Sequence, residues 1–137
     1  MSWLLDTNVL SELRKGERGV PAVRHWFEAH PDDEHFISVL VLGEVRCGIE
    51  SKRRRDPKAA AVLDAWLARI EMEFATRILP VDAAVADRWG RLNVPDPIAA
   101  VDGLLAATAL VHDLVLVTRN VADVARTGVR VLNPFVG

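Results

Sequence analysis

Trp3-Leu4-Leu5-Asp6-Thr7-Asn8 is an apolar run that stops abruptly at an acid followed by two small polar residues. It predicts a strand whose carboxyl end carries Asp6 to the rim of a sheet, with a helix following from Val9 to Arg14. In open α/β sheets, ligands sit just beyond the carboxyl ends of strands, so a carboxylate there is placed for chemistry. Asp6 could equally do no more than cap the next helix. Further along, Val115-Leu116-Val117 reads as a buried parallel strand that stops at Thr118-Arg119-Asn120, echoing the first stretch. Phe36 to Ser38, Ile78 to Val81 and Val129 to Leu132 supply three more short strands. Strands alternate with helical segments throughout, the pattern of a mainly parallel α/β sheet with helices on both faces.

The helical segments differ in what they bury. Pro21 opens one that carries Val23, Trp26 and Phe27 and ends near His30-Pro31, before an acidic turn, Asp32-Asp33-Glu34, read as solvated. From Val41 to Glu50, residues Val41, Leu42, Val45 and Ile49 share one arc, with Glu44 at its edge and Gly48 one turn further on. Lys52-Arg53-Arg54-Arg55 then forms a basic run, which suits a solvated helix end and could also hold phosphates. Pro57 opens a long amphipathic helix to about Phe74, with Val62, Leu63, Trp66, Leu67 and Ile70 inward, so that these two helices form a hairpin-like insertion. Asp82 is a helix cap, Trp89 and Leu92 are core positions, and Asn93 to Pro97 is a turn.

The segment from Ile98 to His112 is apolar on nearly every side, which predicts a buried helix. Asp102 is its one charged residue, flanked a turn away by Ile98, Ala99, Leu105 and Ala106. A buried ionised carboxylate without a partner costs several kcal/mol, so such a group is protonated, paired with a cation such as an arginine, or bound to a metal. Asp6, Glu44 and Asp102 driven toward one rim would repel one another unless a cation sat among them. An all-oxygen set suits Mg²⁺ or Mn²⁺, and nothing in the Cys and His spacing suggests zinc. Metal-held water is a ready nucleophile for phosphodiesters, which makes metal-dependent hydrolysis of a nucleic-acid strand the chemical expectation.

Composition bounds these readings. A chain of 137 residues, half of them hydrophobic, is read as one domain spanning residues 1–137. The formal net charge of −2 leaves any polyanion to be drawn by local basic patches. Cys47 is the single cysteine and forms no internal disulfide, Met1-Ser2-Trp3 leads straight into a strand, and no apolar run is long enough to span a bilayer. A cytoplasmic protein is expected.

Four stretches together carry a family resemblance. Leu4 to Glu12 resembles the opening motif of PIN-domain ribonucleases, and Ser38 to Gly48 their second, with its acid at Glu44. Asp102 to Ala109 is similar to their third motif and Leu116 to Asp123 to their fourth, with Asn133-Pro134-Phe135 at the end. In size and wording the chain most resembles the VapC and FitB-like toxins of bacterial type II toxin–antitoxin pairs. The resemblance implies a three-layer α/β/α fold, Mg²⁺- or Mn²⁺-dependent endoribonuclease activity and a homodimer. It also implies inhibition by a small DNA-binding antitoxin, VapB- or FitA-like, whose carboxyl-terminal segment blocks the site. Carried over, Asp6, Glu44 and Asp102 match the family's acids as metal ligands, and Thr118 its supporting hydroxyl, with Thr7 and Asn8 beside Asp6. Many members carry an aspartate where this chain has Asn120, so the fourth position falls to Asn120 or to Asp123. Arg46 and the Lys52, Arg53 and Arg54 run are candidates for seating the RNA backbone.

Two other classes stay open. A phosphoryl-transfer enzyme could use Asp6 as nucleophile, although such chemistry usually wants a second acid where Asn8 stands. A non-catalytic interaction module could keep the fold without the reaction.

Overall fold

The computed structural model describes residues 1–136. Among them, β1 (Ser2–Leu5), β2 (Glu34–Ser38), β3 (Ile78–Leu79), β4 (Val115–Val117) and β5 (Val131–Leu132) form one sheet in the order β3-β2-β1-β4-β5, every neighbouring pair parallel. The helices are α1 (Thr7–Arg14), α2 (Pro21–Glu28), α3 (Val39–Arg53), α4 (Pro57–Glu73), α5 (Ala83–Leu92), α6 (Ala100–Val111) and α7 (Val121–Val124). Parallel neighbours require crossovers, and crossovers are right-handed. The chain steps one way from β1 to β3 and then crosses back to β4 and β5. That reversal puts α1 to α4 on one face and α5 to α7 on the other, giving three layers. Strand β1 lies where the direction reverses, and such a switch point opens a crevice beyond the strand ends.

Being central, β1 is covered on both sides, which is why Trp3, Leu4 and Leu5 form an unbroken apolar run and are all buried. Val115, Leu116 and Val117 repeat the pattern beside it. Val41, Val45 and Ile49 of α3 and Leu67 and Ile70 of α4 join the same core. The two helices thus pack on each other as the expected hairpin, and they belong to the layer that α1 to α4 make against the core. Val62 points outward, 69% exposed, because it falls beyond the arc shared by Leu67 and Ile70. Trp89 and Leu92 are half-buried rather than core, with the Trp89 indole against Gly103 of α6.

Caps move several helix starts from their expected places. Asp6 lets α1 begin at Thr7, and the Ser38 hydroxyl accepts from Leu40 N, so α3 begins at Val39. Asp56 and Asp82 cap α4 and α5, the latter as expected. Ile98 and Ala99 precede α6 rather than belonging to it, with Ile98 N donating to Asn93 Oδ1. Asp33 does not lie free in its acidic turn: it accepts from the Trp3 indole at 3.0 Å, and Glu34 already belongs to β2. No helix among the described residues is long and apolar enough to cross a membrane.

Candidate active site

The ends of β1 and β4 are tied together at the switch point. Asp6 N donates to Val117 O at 3.0 Å, which sets the two polar tripeptides side by side. Asp6 is only 5% exposed, yet its carboxylate is well supplied. Oδ1 accepts from Thr7 N at 2.7 Å, and Oδ2 accepts from Thr118 Oγ1 at 2.7 Å and Asn8 Nδ2 at 3.4 Å. Asp6 thus caps α1 through Oδ1, as one sequence reading expects, while Oδ2 is held at the carboxyl end of β4 by Thr118. Thr118, 1% exposed, also accepts from Asn120 N, and Asn8 Oδ1 accepts from Arg119 N. These bonds fix the carboxylate before any ligand arrives.

The other acids come from both flanking layers. Glu44 projects from α3, exposed, and accepts from Thr7 Oγ1 at 2.6 Å. Asp102 stands in the first turn of α6 and has no hydrogen-bond donor among the described residues. Burial pushes its carboxyl up from the ordinary aspartate range, and the charges of Asp123, Asp6 and Glu44 push it further. Asp123 acts most strongly of the three, while Asn120 contributes a backbone N–H to Thr118. Four carboxylates therefore share one field at the carboxyl edge of the sheet.

They do not close into a cage. Among the described residues, no three acidic, His or Cys side chains stand near enough to enclose one metal ion, contrary to the expectation of three ligands around a common ion. Two of the acids are instead engaged by hydroxyls: Thr118 Oγ1 donates to Asp6 and Thr7 Oγ1 to Glu44. The donor set still fits a hard divalent cation. Mg²⁺ keeps several waters and is commonly held through one or two carboxylates rather than by an all-protein cage.

The basic residues divide. Arg46 and Arg53 both pair with Asp64 of α4, at 2.7 Å each, and with Glu50, so their charge is spent within the protein. Lys52 borders a groove of about 400 Å³ that begins at Thr7 and Glu44, together with Arg55 and Arg14. Arg54 does not line it. Arg14 carries no signal of this in the sequence, where it looks like any cation at a helix end. A second groove of similar size, apolar, lies across α1, lined by Leu10, Leu13, Phe27, Ile70 and Phe74.

The PIN domain family model matches residues 3–128. VapC ribonuclease Y4jK of Sinorhizobium fredii is 30% identical over 96% of each chain. Toxin FitB of Neisseria gonorrhoeae is 32% identical over 96% of this chain and 97% of its own. The crystal structure of FitAcB from the same organism superposes with a TM-score of 0.87, covering 98% of this chain and 99% of that one at 32% identity. A toxin–antitoxin complex from Klebsiella pneumoniae superposes with a TM-score of 0.68 at 28% identity, over 96% of both chains. With four acids at the switch point of a 3-2-1-4-5 sheet and these likenesses over nearly its whole length, the chain belongs to the PIN-domain family, among the VapC and FitB toxins.

Proposed function

We propose that the protein is a divalent-metal-dependent endoribonuclease, the toxin of a type II toxin–antitoxin pair. What carries the reading is the placement of Asp6, Glu44, Asp102 and Asp123, drawn from three layers, at the carboxyl edge of the sheet, where the Asp102 carboxyl is raised first by burial and then by the charges of the other three. Such a cluster is unfavourable alone and is relieved by a dication. Mg²⁺ or Mn²⁺ would be held through one or two of Asp6, Glu44 and Asp102 together with its own waters, with Asp123 auxiliary to them. When bound, the ion supplies Lewis acidity toward water and the phosphodiester. Thr118 and Asn8 orient Asp6, Thr7 orients Glu44, and Asn120 N keeps the Thr118 hydroxyl aimed at Asp6. Lys52 and Arg54 are free to meet the RNA backbone, whereas Arg46 and Arg53 would first have to leave Asp64.

The relatives' names support a ribonuclease and a toxin with an antitoxin partner. The apolar groove between α1, α2 and α4 is a surface that an inhibitory antitoxin segment could cover. Homodimerisation, a larger assembly with the DNA-binding antitoxin and a cytoplasmic location belong to the same reading.

The test is cleavage of cellular RNA by purified protein, with Mn²⁺ or with EDTA, compared with Asp102→Asn. Cleavage should need the metal and vanish in the variant while its circular dichroism stays native. Metal-dependent cleavage by Asp102→Asn at the wild-type rate would remove the proposal.

A further inference from the structure

The groove that begins at Thr7 and Glu44 has two walls of matching design. Along α1 the lining runs Thr7, Ser11, Arg14; along α3 it runs Glu44, Gly48, Lys52, with Arg55 just beyond. Spacings of three and four keep each set on one helix face, and at 1.5 Å per residue both walls extend about 10–12 Å from the acids to the cations. Arg14, Lys52 and Arg55 make no ion pair among the described residues, in contrast to Arg46 and Arg53 one face away. Arg14 instead lies 5.8 Å from the centre of the Trp66 ring, which is half-buried in the groove wall. A Cβ on Gly48 would touch nothing within 4 Å, so the missing side chain leaves the passage open midway.

We propose that this groove carries one arm of a single-stranded RNA into the acid cluster, with Arg14, Lys52 and Arg55 as its phosphate contacts. The assignment rests on the ribonuclease reading and names the path the substrate takes. Free cations two to three helical turns from the carboxylates complement a polyanion whose scissile phosphate lies among the acids, and the Trp66 ring offers a face for a base. An acidic protein segment would also meet the cations, but it would bring further negative charge to the carboxylates.

Binding of a fluorescein-labelled single-stranded RNA of mixed sequence, measured in EDTA on the full-length protein, tests the path separately from the chemistry. Each phosphate contact to a single strand contributes about 0.7 to the log–log salt slope, so Lys52→Gln with Arg55→Gln should flatten it by about 1.4 and weaken binding roughly sixty-fold at about 50 mM salt. Arg46→Gln with Arg53→Gln should leave both unchanged. Gly48→Leu should weaken binding at an unchanged salt slope, while its thermal midpoint stays at or above wild type, because glycine in an exposed helix interior is unfavourable. In Mn²⁺, the Lys52/Arg55 variant should raise KM and leave kcat near wild type. Wild-type affinity and slope in that variant, beside normal cleavage, would overturn the groove assignment alone. So would an unchanged RNA affinity accompanied by weaker antitoxin binding. Absence of RNA cleavage by the wild type would remove the ribonuclease reading and this path with it.

Discussion

Thr118→Val replaces one hydroxyl with a methyl of similar size at a site where water cannot substitute. Thr118 is 1% exposed and its Oγ1 donates to the Asp6 carboxylate at 2.7 Å. A hydrogen bond to a charged group contributes about 1.5–3 kcal/mol, and Asp6 keeps one short bond, from Thr7 N, and one long one, from Asn8. The Asn120 N–H also loses its acceptor, but Asn120 is exposed and water takes the place at little cost. The expected loss is therefore about 2 kcal/mol at neutral pH. That is roughly thirty-fold in the unfolding constant and about 6–10 °C in midpoint for a chain of this size. Urea and thermal unfolding in EDTA would measure it, with Thr118→Ser recovering most of the loss. Repeating Thr118→Val in an Asp6→Asn background completes a double-mutant cycle, and there the cost should fall to about 1 kcal/mol or less, because the acceptor is no longer charged. A loss below about 0.5 kcal/mol, or the same loss with and without the Asp6 charge, would refute the idea that this hydroxyl serves the carboxylate.

In EDTA, Asp102→Asn should unfold at no lower temperature than wild type, because the change removes a carboxylate pressed by Asp123, Asp6 and Glu44. Mn²⁺ at a hundred times its Kd should stabilise the wild type by about 2.7 kcal/mol, and the variant little; equal metal shifts would contradict the assigned ligands. His35 is buried against Phe27 and Trp26, and burial holds its imidazole below the ordinary range; Asp33 opposes this, while Arg77 and His30 add to it. The unfolded chain then binds the extra proton, so stability should be complete above about pH 6.5 and fall as the pH drops toward the lowered folded value, by up to about 1.4 kcal/mol per unit. His35→Phe should flatten urea midpoints between pH 7.5 and 5, and an identical pH slope in that variant would reject the assignment. Gly103→Val should cost about 1–3 kcal/mol by overpacking, since a Cβ there already stands 3.1 Å from Trp89 Cδ1; an unchanged urea midpoint would show that the α5–α6 contact yields.

The sequence alone determined the period of each element and therefore the fold class. Unbroken apolar triplets such as Val115 to Val117 suit only strands covered on both faces, and their alternation with helical stretches demands parallel crossovers. It also exposed Asp102, because an acid inside an apolar helix is costly wherever the chain folds. Helix starts were less legible, since Ser38 and Asp6 act as caps through bonds that periodicity does not register. Only tertiary structure decided what surrounds each charge. Arg46 and Arg53 look as available as Lys52 until α4 brings Asp64 between them, and Arg14 looks ordinary until α1 and α3 become the two sides of one groove. Thr118 and Asp6 are 112 residues apart, and their bond exists because β1 and β4 pair at the switch point. Local periodicity is written within a few residues, whereas electrostatic partnership depends on distances that only the completed sheet establishes.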